Sequence, residues 1–266
     1  KPYRLSSPTK LLTMENIFNI QLILIIVSFV ANTFSALAGG GAGLIQFPAL
    51  IFLGLPFAKA LATHKVATIA LGVGASMKFF KDKSLDKKMS LYVLGAGIPG
   101  VILGALSIVN ISEKFATGLL GTLTLSLGLY SIMKHDLGTN KNDLNRSGTK
   151  FNIGLCFLFL IGFLNGSLSS GTGLFVTLFL IRWFGYDYKH AIAITLVNVG
   201  IWWNLTGAIT LGLQSKIQWD WVFVLILGSF AGGYFGASIA ISKGNHFIKR
   251  AFEFVTIAIG IKLLLP

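Results

Sequence analysis

The sequence predicts an all-α integral membrane protein: two five-segment repeats of inverted topology, with broken or re-entrant glycine-rich hairpins meeting near the membrane midplane. Three observations predict it. The chain of 266 residues is 54% hydrophobic and 12% charged, against roughly 25% charged in soluble domains. No charge lies between Glu15 and Lys59, Lys88 and Glu113, Lys150 and Arg182, or Asp220 and Lys243. Each gap holds a membrane helix of ~20 residues. A glycine-broken apolar hairpin also occurs twice, and the charge of equivalent loops reverses between the two halves.

Hydropathy divides the chain into ten apolar segments, at 16–38, 42–54, 58–80, 89–109, 114–134, 151–168, 172–184, 187–213, 219–241 and 246–265. The long polar connection, His135 to Lys150, carries Gly138, Asn140, Asn142 and Asn145, which is loop chemistry. The organisation expected is a first repeat over 14–134, a cytoplasmic linker over 135–150 and a second repeat over 151–266. Lys1–Thr13 is polar and reads as an added or disordered N-terminal segment. Ile17–Ala38 is too long for a signal-peptide core and has no basic region before it after Met14, so it reads as a mature span.

The repeat shows in the register. Gly41, Gly43 and Leu44 recur 130 residues later as Gly171, Gly173 and Leu174. After two extra residues, Thr63, Gly100, Gly104-Ala105, Phe115 and Gly128 match Thr195, Gly232, Gly236-Ala237, Phe247 and Gly260. In the first half the loop after the third segment holds Lys78, Lys81, Lys83, Lys87 and Lys88, and the next loop Lys114. In the second half the order reverses, with Lys216 alone and then Lys243, Lys249 and Arg250. The positive-inside rule places equivalent loops on opposite faces and both termini outside. Such inverted repeats are a transporter architecture.

The net charge of +13 sits in these loops and does not call for nucleic acid. The lone Cys156 can make no intrachain disulfide, and the four His at 64, 135, 190 and 246 form neither a zinc motif nor a catalytic one. The chain is therefore not read as an enzyme, and no cofactor is expected. Gly100-xxx-Gly104 and Gly228-xxx-Gly232-xxx-Gly236 each put small residues on one helix face. Packing inside the bundle is the reading adopted, and a homodimer through those faces is the alternative.

The candidate site follows from the broken segments. Short helices starting after Gly41 and Gly171 point unpaired N–H groups out of their N-termini. Each such end carries about half a positive charge, and the donors suit a small oxyanion. The polar groups at hand are Gln46 and Thr63 in the first half and Ser169, Ser170, Thr172, Thr195 and Asn198 in the second, with Gly43 and Gly173 letting solute approach. Lys65 would lie ~12 Å into a core whose midplane is near 15 Å. No acid in its segment neutralises it, so it reads as an anion's counter-charge. Its competing role is to snorkel to the interface. His64 beside it could hydrogen-bond the solute or carry a proton, its competing role being an internally satisfied histidine. Glu253 has Arg250 one turn away and reads as a local ion pair.

The runs Gly39-Gly-Gly-Ala-Gly-Leu-Ile-Gln-Phe-Pro48, Leu53-Gly-Leu-Pro-Phe-Ala-Lys-Ala-Leu-Ala-Thr63, Gly162-Phe-Leu-Asn-Gly-Ser-Leu-Ser-Ser-Gly-Thr-Gly-Leu174 and Gly260-Ile-Lys-Leu-Leu-Leu265 resemble the TauE/SafE family of sulfite exporters. The resemblance implies a multi-pass secondary transporter of the cytoplasmic membrane. It would export sulfite or another small sulfur-containing anion, such as a sulfonate or thiosulfate, without ATP. Small carboxylates or a passive anion channel are the alternatives. This chain departs from the family at His64, where Ser is common, and at Ser169-Ser170-Gly171-Thr172-Gly173, where glycine-richer runs are common.

Overall fold

A computed structural model describes residues 14–107, 113–168, 171–214 and 217–265, and these contain helices and no strand. Lys1–Thr13, Ser169 and Ser170 lie outside the described residues. The helices are α1 (Met14–Ala38), α2 (Ala42–Phe52), α3 (Phe57–Lys81), α4 (Lys87–Leu106), α5 (Glu113–Met133), α6 (Gly148–Leu168) and α7 (Thr172–Phe184). They continue as α8 (Tyr188–Thr195), a π-helical stretch (Leu196–Trp203), α9 (Asn204–Gly212) and α10 (Trp219–Leu264). Gly244, at φ 76°, breaks α10 into two rods.

Among the described residues, five helical stretches are long and apolar enough to cross a membrane: Phe18–Ala38, Lys87–Leu106, Gly148–Leu168, Tyr188–Gly212 and Trp219–Lys262. α3 has 25 residues, but Lys59, His64, Lys65, Lys78 and Lys81 dilute its apolar character. α2 and α7, with 11 and 13 residues, rise only about 16 and 20 Å. The outer surface carries Phe18, Leu22, Ile26, Leu91, Leu103, Phe223 and Phe254, all exposed. That is the inverse of a water-facing surface and suits lipid.

Glycine lets these helices close up. A Cβ at Gly232 would lie 2.5 Å from Phe29 O, and at Gly236 it would strike Thr33 O, so the first half of α10 lies backbone to backbone on α1. In the same way Gly100 and Gly104 bring α4 onto Phe159 O and Phe163 O of α6. Gly128 of α5 faces Ile257, and Gly260 faces Leu125, across the contact of α5 with the second half of α10. The glycine faces are thus consumed inside the chain. Packing inside the bundle, the reading adopted from sequence, is what these contacts show, and they leave the alternative homodimer seam no free surface on those faces.

The two ends of the bundle differ. At one end the start of α1 meets the start of α10, where Gln21 Nε2 donates to Asp220 O at 3.1 Å. Gln218 N–H donates to Thr63 Oγ1 there, at 3.0 Å. Phe47, Leu50, Leu55 and Leu61 pack at this end with Leu24 and Leu211, so α2 returns toward the end from which α1 set out. At the other end, Trp183 Nε1 donates to Lys150 O at 3.1 Å, so α7 returns toward the start of α6. The 134–147 connection clasps this end: Asn142 N–H donates to Gly185 O at 2.7 Å and Tyr188 N–H to Gly138 O at 2.9 Å.

Asp86 caps α4 here, accepting from Met89 N–H at 3.0 Å and from Tyr186 Oη at 2.5 Å. Burial works against its charge, but those hydrogen bonds and the nearby Arg146 and Lys141 hold its carboxyl below the usual range. Burial and the same hydrogen bond push the Tyr186 phenol up. Lys189 pairs with Asp82 at 3.0 Å, closing the same end.

Candidate functional site

Both hairpins turn on left-handed glycines. Gly39, Gly40 and Gly41 have φ of 82°, 142° and 98°, and Gly171 has 74°. An L side chain rarely adopts these angles. Gly41 and Gly171 are the N-cap residues of α2 and α7, and neither supplies a side-chain cap to the amides that follow. The two turns pack on each other. A Cβ on Gly40 would lie 2.5 Å from Gly173 C, and one on Gly173 2.8 Å from Gly40 Cα. Gly41 faces Leu174 as Gly171 faces Leu44. Two helix N-termini are thereby brought together inside the protein.

A cavity of about 30 Å³ lies at this junction. Gly40, Gly41 and Gly43 line one side, and Gly171, Thr172 and Gly173 the other. His64 and Thr68 of α3 close it, together with Ser35 of α1, Asn165 of α6, and Thr195, Leu196, Val199, Gly200 and Asn204. Two of its side chains are uncommitted: Ser35 Oγ and His64 Nδ1 are buried and without a hydrogen-bond partner. Buried polar atoms are nearly always paired, so two such atoms on one cavity mark a place for a ligand or water.

Lys65 reaches this cavity at one remove. Its ammonium is fully buried and donates to Asn165 Oδ1 at 3.0 Å, while Asn165 Nδ2 donates to Thr172 Oγ1 at 2.7 Å. Its stem runs against Gly207 of α9, where a Cβ would lie 2.8 Å from Cδ and Cε. Among the described residues no carboxylate pairs with it. The charge is therefore relayed through an amide to a hydroxyl at the mouth of α7. Thr195 is tied in through Thr177, whose Oγ1 donates to Gly39 O at 2.7 Å and lies 3.0 Å from Thr195 Oγ1.

The residues singled out from sequence divide into three groups. Gly41, Gly43, His64, Gly171, Thr172, Gly173 and Thr195 line the cavity. Gln46, Thr63, Lys65 and Asn198 do not, while Ser170 lies outside the described residues. Gln46 turns instead to Asn32, with Nδ2 to Oε1 at 3.2 Å. Thr63 faces the bundle end, donating to Lys59 O at 2.7 Å. Asn198 Nδ2 donates to Ser90 Oγ at 2.7 Å, across to α4. Glu253 pairs with Lys249 rather than Arg250. On a helix the i−4 neighbour competes with i−3, and Lys249 also donates to Ser131 O at 2.8 Å.

Ser35, Thr68, Asn165 and Asn204 were missed in sequence. Asn165 had a signal, as an amide in an apolar span seven residues before Thr172. Thr68 stands one turn after His64. The π-helical stretch had none. It widens the turn that carries Val199 and Gly200 to the cavity, and such irregularity often accompanies function. Asn204 Nδ2 donates to Thr68 Oγ1 at 3.0 Å across the same wall.

The family model described as Sulfite exporter TauE/SafE matches residues 24–263. A protein of Haemophilus influenzae named as a probable membrane transporter is 32% identical over 227 residues, covering 85% of this chain and 88% of its own. The probable membrane transporter YfcA of Escherichia coli is 27% identical, over 91% of this chain and 88% of its own. YunE of Bacillus subtilis, likewise named a probable membrane transporter, is 26% identical over 91% and 96%. No solved structure matches significantly. With a family model spanning nearly all of a helical, lipid-facing chain, this is a multi-pass membrane protein that belongs to the sulfite exporter TauE/SafE family.

Proposed function

We propose that the chain is a secondary transporter that exports sulfite, a sulfonate or thiosulfate across the bacterial cytoplasmic membrane, binding the anion where α2 and α7 begin. The observation that carries the reading is the composition of that cavity. Two helix N-termini whose N-cap residues are glycines meet there beside unpaired Ser35 Oγ and His64 Nδ1, and Lys65 is relayed to Thr172 through Asn165. None of the lining residues is acidic. Helix dipoles and hydroxyl donors favour a compact oxyanion. The family description names a sulfite exporter, and the relatives are named as probable membrane transporters.

The same reading includes inverted repeats over 14–134 and 151–266. Its support is that contacts recur with their partners exchanged. Gly100 and Gly104 on α6 correspond to Gly232 and Gly236 on α1. The contact of Gly72 with Gly200 corresponds, at the 132-residue offset, to the hydrogen bond of Asn204 with Thr68. If each hairpin re-enters, three spans remain per half, an odd number, which puts both termini outside and the linker inside. The cationic end of the bundle, with Lys83, Lys87, Arg146 and Lys189, is then cytoplasmic.

Proteoliposome flux tests the function. Radiolabelled sulfite should exchange with saturation, be inhibited by sulfonates more than by acetate, and depend on a gradient. Flux that rises linearly without saturation would indicate a channel, and acetate preference would overturn the sulfur-anion assignment.

A further inference from the structure

The ends of α5 and α7 meet the start of the 134–147 connection around a recess of about 490 Å³, which is separate from the anion cavity. Its walls include Lys134, His135 and Arg182, with Tyr130, Met133 and Asp136. Arg182 is exposed, in the last turn of α7. Its Nε donates to Tyr130 Oη at 2.8 Å, which orients the guanidinium and leaves the terminal nitrogens for another partner. Among the described residues no carboxylate pairs with Arg182 or Lys134, although Asp136 borders the same recess. A cation at a helix C-terminus is favourable in itself. That does not account for a tethered guanidinium and a lysine sharing one recess with a single acid.

The surroundings of the recess are apolar on one side. Leu129, Ile132 and Met133 are 49%, 45% and 77% exposed. Their spacing of three and four residues puts them in one stripe on the outer face of α5, and Met133 joins that stripe to the recess. Tyr130 and the neighbouring Trp183 are of the types that gather at membrane–water interfaces, which sets the recess at headgroup depth. Arg182 also borders a second recess of about 160 Å³, whose walls include Asn140 and Asn142.

We propose that this recess binds the headgroup of an anionic phospholipid, phosphatidylglycerol. The Arg182 fork meets two phosphate oxygens at once, and Lys134 supplies the second cation. Asn140 and Asn142 serve the glycerol hydroxyls, and an acyl chain follows the stripe of Leu129, Ile132 and Met133. Two cations against one acid favour this headgroup over a zwitterionic one, as basic pockets at the cytoplasmic side of helix bundles do. The apolar stripe favours a lipid over free phosphate. α7 also runs from Thr172 at the anion cavity to Arg182, ten residues and a rise of about 15 Å. A headgroup holding its end would steady the helix whose start walls the cavity. That coupling rests on the anion reading above; the lipid site itself does not.

Purified full-length protein in detergent is titrated with phosphatidylglycerol, phosphatidylcholine or inorganic phosphate, and read by Tm and native mass spectrometry. Phosphatidylglycerol should raise Tm by several degrees with saturation and stay bound in the spectrometer, and the other two should do neither. Arg182→Gln should weaken phosphatidylglycerol binding about tenfold and Lys134→Gln about fivefold. Arg182→Lys, which keeps the charge and loses the fork, should weaken it less than Arg182→Gln. Lys88→Gln removes another exposed cation of the same end and should have less than about a twofold effect. Lipid-free Tm and size-exclusion profiles report folding. Equal stabilisation by the two lipids would overturn the site, and so would equal losses in Lys88→Gln and Arg182→Gln. Inorganic phosphate that stabilises as well as the lipid would overturn the lipid as occupant. Sulfite flux should rise about fivefold when phosphatidylglycerol is added to phosphatidylcholine vesicles, and Arg182→Gln should abolish the rise. Lipid binding without that rise overturns the coupling, and lipid binding with no sulfite flux in any vesicle overturns the anion reading while the lipid site stands.

Discussion

Replacing Lys65 by Met keeps the apolar stem against Gly207 and removes the charge. The ammonium is 3.0 Å from Asn165 Oδ1, and Asn165 lines the cavity. An anion there would sit on the order of 7 Å from Nζ, where two unit charges at an effective dielectric of ~20 attract by roughly 2.4 kcal/mol. Losing that attraction should weaken anion binding about 50-fold, since 1.36 kcal/mol is a factor of ten. The stability cost is smaller and of mixed sign. Asn165 Oδ1 loses its donor, at about 1–3 kcal/mol, while a buried charge with no acid partner is also removed. Tm in detergent should therefore fall by only a few degrees. The assay is equilibrium binding of radiolabelled sulfite, with Lys78→Met as control. Lys78 lies 4.0 Å over the Tyr234 ring near the end of α3, and its replacement should change affinity less than threefold. Unchanged sulfite affinity in a well-folded Lys65→Met protein would refute the reasoning and leave the helix ends as the anion-attracting element.

Gly40→Ala should abolish flux and lower expression, because its Cβ would overlap the Gly173 backbone. Gly95→Ala, with nothing within 4 Å of the added Cβ, should be neutral or stabilise by about 0.5–1 kcal/mol; flux and Tm report both. Asp86 has its carboxyl held low, so its contribution to stability is complete above the unfolded carboxylate pKa near ~4 and is lost as pH falls through the folded value. Tm against pH should drop below about pH 4; Asp86→Asn should flatten that drop while its amide oxygen still caps α4, and Asp86→Ala should in addition cost about 1 kcal/mol at neutral pH through the lost cap. Cysteine at exposed Lys87 or Asn140, in a Cys156→Ser background, should be labelled from the inside of the membrane only. Labelling of either from outside intact cells would reverse the topology. Ser84 in the same loop is a poor probe, being buried against Asp82.

Helix limits were legible in sequence because lipid demands long apolar runs and glycine and charge punctuate them. The expected 42–54 and 172–184 segments correspond to Ala42–Phe52 and Thr172–Phe184. The glycines that line the cavity were legible as well, since Gly41 and Gly43 stand 130 residues before Gly171 and Gly173 in matching runs. Side-chain direction was not. Gln46 and Asn198 were chosen as polar residues near the turns, but which way a helical residue faces depends on its neighbours, and both face other helices. Thr63 and His64 are adjacent in sequence, yet a helix turns by 100° per residue and sends one to the bundle end and the other to the cavity. Asn165 escaped because its importance comes from Lys65, a hundred residues earlier. The π-helical stretch follows from packing, and its residues, Leu196–Trp203, carry no local mark.

The crossed pairing of α1 with α10 also fixes an order of assembly. α1 is the earliest of the described helices to be synthesised, but the backbone it rests on, at Gly228, Gly232 and Gly236, is made about two hundred residues later. Until then Ser28 and Asn32 face lipid or other transient neighbours without Ser229. The first half cannot mature as a folding unit, because its opening helix belongs structurally to the second. Contacts of such sequence separation slow folding. A chain truncated after the linker should accordingly insert its spans yet leave α1 undocked and open to proteolysis.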